Sequence, residues 1–246
     1  MTTDITANMT VKDIVVRHPE TRPVLEKLGI DYCCGGKIPL AQAVQRAGLP
    51  SDRVVADLNQ AVHDQQRGIA VKDWTTASAT ELVDHIERTH HVFMKEQLPR
   101  LADLLNKTLQ AHGQRHGQML KQLKHTFVSL KTDIEMHMGK EEQILFPLIR
   151  QMDAYQQGQG PVPKVHCGTV ANPIGQMEFE HDQAGLFLGQ IRTITSDFQL
   201  PEDACETFRA LFDGLQDMEA DLHEHIHLEN NILFPEAVEV EARTQQ

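Results

Sequence analysis

Two stretches of the chain share one pattern: HMGKEEQILFP at residues 137–147 and HIHLENNILFP at residues 225–235. Six of the eleven positions are identical, and each stretch begins with a histidine that is followed four positions later by a glutamate. A match of this length is improbable by chance within one chain, so we interpret the two stretches as equivalent parts of a duplicated helix pair. The repeat therefore predicts four long helices, with the second equivalent to the fourth and the first equivalent to the third.

Apolar residues at helical spacing place these four helices in the second part of the chain. They are expected at residues 78–109, 114–150, 172–196 and 201–239. Ser78 and Glu81 have capping-box spacing at the start of the first helix, which Pro99 should interrupt, and Pro147 should kink or end the second. Asn172 is the expected N-cap of the third, after a loop rich in glycine and proline. Four long helices with short connections predict an all-α four-helix bundle.

The beginning of the chain differs from the rest in composition. Its first 60 residues carry seven basic and seven acidic side chains, so the remainder carries the whole net charge of −12. Short apolar runs at helical spacing predict several short helices, and between them lies GIDYCCGGK at residues 29–37, a loop between glycines that displays Cys33 and Cys34. We therefore expect a small helical domain at residues 1–62, a linker at 63–77 and the bundle at 78–246.

Each helix of a bundle turns one seam of residues, spaced three or four apart, toward the core. In the two helices that carry the repeat, a histidine and a glutamate occupy seam positions where apolar residues belong. The expected seams are Leu82, His85, Thr89 and Val92 in the first helix, Leu130, Ile134, His137, Glu141, Ile144 and Leu148 in the second, Ile174, Met177, His181, Ala184, Leu188 and Ile191 in the third, and Leu211, Leu215, Met218, Leu222, His225, Glu229 and Ile232 in the fourth. All four helices are thus expected to aim an imidazole inward.

Buried carboxylates and imidazoles in such numbers require a compensating charge, because an unpaired buried carboxylate is strongly destabilising. Positions i and i+4 lie about 6 Å apart along a helix axis, so the histidine of each repeat can bind one metal ion while the glutamate reaches a second. Imidazole and carboxylate ligands within a helix bundle favour iron or manganese over a thiolate zinc site. The predicted ligands of this dinuclear centre are His85, His137, Glu141, His181, His225 and Glu229.

Most of the remaining histidines fall off the seams, and the pattern gives them no ligand role. We expect them in solvent or around the ligands: His90, His91, His112, His116, His125, His166, His223 and His227. A single histidine on a seam is more often a hydrogen-bonded core residue than a ligand, and a single His-x3-Glu is usually a surface pair. Four seam histidines together with a duplicated His-x3-Glu favour the metal centre instead.

Composition excludes several other classes of protein. The net charge of −12 opposes binding to nucleic acid or to an anionic membrane surface. The sequence contains no apolar stretch of membrane-spanning length and no signal-peptide pattern at its start, so we expect a cytoplasmic protein. Four cysteines are too few for a disulfide scaffold of this size, and we expect thiols in a reducing compartment.

With these motifs together, the sequence resembles the hemerythrin-like di-iron proteins and, more narrowly, the Repair of Iron Centers (RIC) or ScdA-type family of iron-sulfur cluster repair proteins, over nearly its full length. GIDYCCGGK is similar to the amino-terminal signature of that family, which usually has Phe at the position of Tyr32. HMGKEEQILFP, EFEHDQAG and HEHIHLENNILFP resemble its ligand segments. The segment that contains His166 and Cys167 departs from the family as an insertion, and we assign that pair no role.

The resemblance implies two iron ions held by the same six residues that the seams predict, and a functional role for Cys33 and Cys34. It also implies repair of iron-sulfur clusters after nitric oxide or oxidative damage, with binding or reduction of nitric oxide at the di-iron site, or with release of iron to a damaged cluster. The implied partners are nitric oxide or another small diatomic ligand and damaged iron-sulfur proteins, and a homodimer is compatible with two helical domains. The alternative is a sensor or carrier of nitric oxide or dioxygen that performs no catalysis.

Overall fold

A computed structural model describes residues 4–33, 35–65, 72–163, 165 and 168–244. The described residues form an all-α protein, as predicted. Its helices are α1 (Val11–Arg17), α2 (Arg22–Lys27), α3 (Leu40–Arg46), α4 (Ser51–Gln65), α5 (Ala79–Ile86), α6 (Val92–Lys140), α7 (Phe146–Gln156), α8 (Ala171–Ile194), α9 (Glu206–Leu228) and α10 (Phe234–Thr244). None of the helices in these residues combines the length and apolar character that a membrane span requires.

The first four helices form a small amino-terminal unit around a shared apolar core. The core includes Ile14, Leu25, Leu40 and Leu58, each fully buried. The segment between α2 and α3 contains residues 29–37, which we call the thiol loop. Of the predicted site residues in this loop, Cys33 is described and buried, whereas Cys34 lies outside the described residues. The expected linker lies in part outside them as well, at residues 66–71.

The remaining helices build four rods that pack side by side. The first rod contains α5 and the first half of α6, and the second contains the other half of α6 and α7. Helical structure in α6 is interrupted at His116, where φ is −114° and ψ is 16°. His91 and Glu142 are in contact, with Nδ1 of the histidine 2.7 Å from a carboxylate oxygen, so the two halves of α6 run antiparallel on either side of His116. The third rod is α8 and the fourth contains α9 and α10.

Three of the four rods contain a five-residue π-helical segment. These segments are Glu87–His91, Glu141–Leu145 and Glu229–Leu233, and each joins two α-helices of one rod. A π turn inserts one residue into the α-helical repeat, so every residue after it faces a direction about 100° away from the one that the 3.6-residue period predicts. π turns are found mainly at functional sites. Here two of the three π turns begin at the repeated glutamates, Glu141 and Glu229.

These π turns explain where the predicted seams were wrong. The seam of α8 is confirmed because all six of its residues are buried, and that rod has no π turn. In the second rod the seam holds as far as Glu141, but Ile144 is 60% exposed while Leu145 is 1% exposed. In the first rod Thr89 and Val92 are exposed, and the buried positions are Ile86 and His91.

Several predicted helix boundaries are corrected. The capping box of Ser78 and Glu81 is confirmed, but the helix continues through Pro99 without a break. Helix α8 begins one residue before the expected cap Asn172. The fourth rod begins at Glu206 and not at the proline at residue 201. Pro147 does not end the second rod: it falls in the first turn of α7, directly after a π turn, where its missing N–H leaves no α-helical hydrogen bond unmade.

The amino-terminal unit contacts the bundle next to the third π segment. Arg22 in α2 pairs with Glu224 in α9 at 2.5 Å, and Lys37 in the thiol loop pairs with Glu178 in α8 at 3.1 Å. Between these two ion pairs the side-chain amide of Asn231 donates to the carbonyl of Tyr32 at 3.1 Å. The thiol loop is therefore seated on the rod that carries Glu229.

Candidate metal centre

Two glutamates occupy the middle of the bundle with no access to solvent. Glu141 and Glu229 are the first residues of their π segments, and both are 0% exposed. Each lies one helical turn after the histidine of its repeat, with Glu141 3.2 Å from Nε2 of His137 and Glu229 3.0 Å from Nε2 of His225. The repeat in the sequence thus becomes two facing carboxylates at the bundle core.

Two further imidazoles, one from each of the other rods, complete the arrangement. Nε2 of His91 lies 3.3 Å from Oε2 of Glu141, and Nε2 of His181 lies 3.1 Å from Oε2 of Glu229. Among the described residues, two groups of side chains have geometry that could hold a metal ion, and both are buried. One group is His91, Glu141, His225 and Glu229, and the other is His137, Glu141, His181 and Glu229.

Both carboxylates belong to both groups. Glu141 presents Oε2 to His91 and Oε1 to His137, while Glu229 presents Oε1 to His225 and Oε2 to His181. Each group therefore contains two imidazole nitrogens and one oxygen from each of two shared carboxylates. Two metal ions would fit this arrangement, one held by His91 and His225 and the other by His137 and His181, with Glu141 and Glu229 available to both.

The structure brings together five of the six predicted ligands, and it replaces the sixth. His85 belongs to neither group within the described residues: it is half-buried, it stacks on Trp74 at a ring distance of 4.2 Å, and its Nδ1 lies 3.2 Å from the hydroxyl of Thr89. His91, which the seam analysis left without a ligand role, is 1% exposed and takes that place. His85 precedes the π turn at Glu87–His91 and lies beside the buried positions Leu82, Val83 and Ile86, so the predicted seam was already displaced there; the π turn then brings His91 inward.

Most of the four central imidazoles are held in orientation by a contact at Nδ1, the ring nitrogen that does not face the two glutamates. Nδ1 of His91 contacts Glu142 at 2.7 Å, and Nδ1 of His181 contacts Oδ1 of Asn230 at 2.8 Å. Glu142 and Asn230 are equivalent residues, since each directly follows a bridging glutamate. Such contacts fix the tautomer that leaves Nε2 available as a ligand.

In the other pair of central imidazoles, the two rods differ. Nδ1 of His137 lies 2.9 Å from Glu180, which also contacts Lys140. Nδ1 of His225 makes no hydrogen bond to any described residue, and its ring is stacked against His90 at 5.5 Å. The two groups are therefore alike in their ligands and different in what surrounds them.

Electrostatics favour a cation at this position. Burial alone would lower the pKa of His137, but Glu141, Glu229 and Glu180 raise that pKa to about 9. Burial alone would raise the pKa of the Glu229 carboxyl, but His225 and His181 hold it well below its usual value. The carboxylates thus remain ionised and are compensated by protonated imidazole, and a bound metal ion would take the place of those protons.

Unsatisfied polar atoms at the same place provide a second indication. Both oxygens of Glu141, Oε2 of Glu229 and Nε2 of His91 are buried and make no hydrogen bond to the described residues. Buried polar atoms without partners are rare in folded proteins, and each one calls for an explanation such as a bound ion. The same atoms point into the two groups, so the residues present fit a pair of metal ions.

Two openings lie near these groups. A cavity with room for about one water-sized molecule is lined by His137, His181 and His225, together with apolar side chains that include Ala184 and Leu222. On the other side of the thiol loop, a cleft of 1160 Å³ separates that loop from α8 and α9.

The thiol loop lies against the π segment that begins at Glu229. The Cys33 thiol donates to Asp31 at 3.3 Å, and the Cys33 carbonyl accepts from the amide of Asn230 at 3.5 Å. Asn230 is the residue directly after Glu229. His166 and Cys167, to which we assigned no role, lie outside the described residues.

Comparisons with known proteins agree with this geometry. The family model of the hemerythrin HHE cation binding domain matches residues 81–237, and the ScdA amino-terminal domain, described as a domain of unknown function, matches residues 7–62. The iron-sulfur cluster repair protein YtfE of Citrobacter koseri is 37% identical over 92% of this chain and 94% of its own length. The proteins of the same name from Escherichia coli O81 and from Enterobacter sp. are 36% identical over the same shares.

Proposed function

Because the chain belongs to the family of hemerythrin-type iron-sulfur cluster repair proteins, we propose that it repairs iron-sulfur clusters damaged by nitric oxide or by oxidative stress. Hemerythrin HHE domains bind a non-haem di-iron centre. In this chain the residues that would hold the two iron ions are His91, His137, Glu141, His181, His225 and Glu229. Damaged iron-sulfur proteins are the partners of this function.

One observation carries the proposal: two carboxylates with no solvent access each offer one oxygen to each of two imidazole pairs. Neither a structural hydrogen-bond network nor a surface ion-pair cluster requires this sharing. A carboxylate that serves only to stabilise the core would use its oxygens in hydrogen bonds, whereas the two oxygens of Glu141 make none to the described residues. The arrangement is therefore best explained by two cations a short distance apart.

When bound, the iron pair supplies redox chemistry and vacant coordination positions for a small ligand. The protein itself controls which molecules reach that position. The cavity beside His137, His181 and His225 has about the size of one water molecule and is lined by apolar side chains together with Asp133 and Glu180, so its volume suits a diatomic ligand. We propose nitric oxide as the small-molecule ligand of the centre.

The thiol loop is the second functional element of the proposal. Resemblance to the family implies roles for Cys33 and Cys34, and Cys33 lies in a loop that is seated directly on the segment of Glu229. Thiolate is a good ligand for iron. We propose that this loop controls access to the centre or exchanges iron with it. The amino-terminal domain at residues 1–62 would then act as a mobile attachment to the bundle at residues 78–246.

The experiment that tests this function compares two glutamates on the same rod. Glu141→Gln removes the negative charge that both groups share and replaces one of its two oxygens with an amide nitrogen, whereas Glu135→Gln removes a surface pair with Lys131 and leaves the core intact. Each iron-loaded variant is incubated anaerobically with a dehydratase whose [4Fe–4S] cluster has been damaged by nitric oxide. We expect wild-type protein and Glu135→Gln to hold two iron ions and to restore activity, and Glu141→Gln to do neither. Equal repair by an iron-free Glu141→Gln variant would contradict the proposal.

Nitric oxide chemistry is tested separately on the ferrous protein. Titration with nitric oxide under anaerobic conditions, followed by headspace analysis for nitrous oxide, distinguishes reduction from binding. Nitrous oxide in proportion to added protein supports a reductase, and a nitrosyl spectrum without this gas supports binding alone. Absence of any spectral change would remove nitric oxide as the ligand.

A further inference from the structure

Three consecutive residues of the third π segment face the core. Glu229, Asn230 and Asn231 are 0%, 7% and 6% exposed. Successive residues of an α-helix point about 100° apart, so one buried face cannot hold consecutive residues; the four residues before the π turn are buried as well, because the amino-terminal unit covers the outer face of this rod. The first is a shared carboxylate of the metal centre, and the other two are amides.

Asn230 uses both ends of its side chain. Its Oδ1 accepts from Nδ1 of His181 at 2.8 Å, and its Nδ2 donates to the Cys33 carbonyl at 3.5 Å. One planar amide thus contacts a ligand imidazole on one side and the thiol loop on the other. Any rotation that improves one of these hydrogen bonds affects the other, because the oxygen and nitrogen of an amide are fixed relative to each other.

Asn231 holds the same loop in a different way. Its Nδ2 donates to the Tyr32 carbonyl at 3.1 Å and to Nδ1 of His227 at 2.9 Å. Burial lowers the pKa of His227 to about 3, with Arg22 and Lys12 adding to the effect, so that ring is neutral and accepts this hydrogen bond. Asn231 therefore anchors the loop but touches no ligand of the centre.

The duplicated half of the bundle serves as an internal comparison. There the residues that follow the bridging glutamate are Glu142 and Gln143. Glu142 contacts its imidazole, His91, just as Asn230 contacts His181, but its second partner is the ammonium of Lys95 and not a backbone carbonyl. Gln143 is exposed. The orienting contact is thus common to both halves, and the amide that also reaches the thiol loop occurs only in the half on which the amino-terminal unit sits.

We propose that Asn230 is a positioning residue that couples occupation of the metal centre to closure of the thiol loop. With Nε2 of His181 directed at the metal position, Nδ1 of the same ring meets the oxygen end of the Asn230 amide, and the nitrogen end of that amide meets the Cys33 carbonyl. A metal ion bound there would restrain the ring, the amide and the loop together. By linkage, a closed loop strengthens metal binding by the same factor by which metal strengthens closure. The inference rests on the metal centre proposed above and adds a mechanical connection to it.

The test measures how fast Cys33 is alkylated with and without metal. Full-length protein is treated anaerobically with iodoacetamide, with or without saturating Mn²⁺, and the modification at Cys33 is quantified by peptide mass spectrometry. Mn²⁺ suits imidazole and carboxylate ligands and binds thiolate weakly, so it reports on the centre and not on the thiol. We expect Mn²⁺ to slow alkylation of wild-type Cys33 by about 2- to 10-fold, which is the factor that one hydrogen bond provides.

Three variants separate coupling from stability. Asn230→Asp keeps an acceptor for His181 and loses the donor to Cys33, so it should bind Mn²⁺ yet show the same alkylation rate with and without the ion. Glu135→Gln, a control on the second rod whose side chain pairs with Lys131 at the surface, should keep the full Mn²⁺ effect. Asn231→Ala should speed alkylation in both states and leave their ratio unchanged.

Metal binding is titrated in every sample, so the two proposals fail in distinguishable ways. If the wild-type chain binds neither Mn²⁺ nor Fe²⁺, the proposed metal centre is refuted. A chain that binds metal but shows no effect of it on Cys33, or an Asn230→Asp variant that retains the wild-type ratio, refutes the coupling and leaves the centre standing. A mere loss of folding in Asn230→Asp would appear in its circular dichroism, and in that case Asn230→Ala, which removes both hydrogen bonds, should also abolish the ratio.

Discussion

The choice between His91 and His85 as a metal ligand can be decided by one pair of variants on a single rod. His91 is 1% exposed and its Nε2 lies 3.3 Å from Oε2 of Glu141, whereas His85 is half-buried against Trp74. His91→Ala removes one of two imidazoles from one group and none from the other. His85→Ala removes a stacked ring from a tryptophan and leaves both groups complete.

The two substitutions should change different properties: His91→Ala the iron content and His85→Ala the thermal stability. Loss of an outer hydrogen-bond partner already weakens metal binding by about 10- to 100-fold, so loss of the ligand His91 should weaken one position by at least about 100-fold. We expect iron content to fall from two ions to one per chain or below. An aromatic stack is worth about 0.5–1.5 kcal/mol, so His85→Ala should lower the melting temperature by about 1–6 °C and leave the iron content at two.

Two measurements on each variant give the answer. Elemental analysis after anaerobic loading and desalting counts the ions, and the fluorescence of Trp74, the only tryptophan in the sequence, reports on the stack. His85→Ala should change the emission of Trp74 and keep the full iron content. His91→Ala should lose iron and leave the emission of Trp74 unchanged. If His85→Ala loses iron while His91→Ala retains two ions, the assignment from the π turn is refuted.

Three further perturbations have definite outcomes. Glu229→Ala should lose stoichiometric metal at both positions by elemental analysis while circular dichroism stays unchanged, because it removes both oxygens and each serves one group; retention of two tightly bound ions would count against the sharing. Gly36→Ala places a Cβ 2.6 Å from the Tyr32 carbonyl and should accelerate alkylation of the thiol loop without loss of metal, and an unchanged rate would show that the loop already adopts another conformation. A hydrogen bond from His112 lowers the pKa of the exposed Cys205 thiol to about 7, so the alkylation rate of Cys205 should rise with pH around a midpoint near 7. His112→Ala should move that midpoint toward about 8.5. A wild-type midpoint near about 8.5 would disprove the contact.

Hydrophobic periodicity was sufficient to predict which residues face the core wherever a rod keeps the α-helical repeat. His181 lies on α8, which has no π turn, and its predicted seam is buried residue by residue. His137 and His225 precede the π turns of their rods, and their glutamates are the first residues of those turns, so the periodicity was still in phase when it reached them. The internal repeat then indicated that the two carboxylates face each other, because equivalent residues of a duplicated helix pair occupy equivalent places.

His91 could not be found in this way. A π turn has no residue signature comparable to proline or glycine, and Glu87–His91 contains neither. Aligning the first rod with the third on their shared glutamates, Glu87 and Glu178, places His90 opposite His181, one residue short of the imidazole that the structure brings to the centre. The outer contacts supply the missing register: His181 contacts the residue after Glu229, and the equivalent contact in the other half is made by His91.

The residue after each bridging glutamate distinguishes the two halves of the duplicated bundle, of which one receives the amino-terminal unit. Both halves turn the residue after the bridging glutamate toward an imidazole, and in both that residue has a second partner outside the centre. Glu142 is an acceptor only and pairs with Lys95, whereas the Asn230 amide has a donor left for the Cys33 carbonyl. A carboxylate at position 230 would face that carbonyl with like charge and repel the loop. The seating of the thiol loop on one side of a nearly symmetrical centre therefore follows from one difference in chemistry between two equivalent positions.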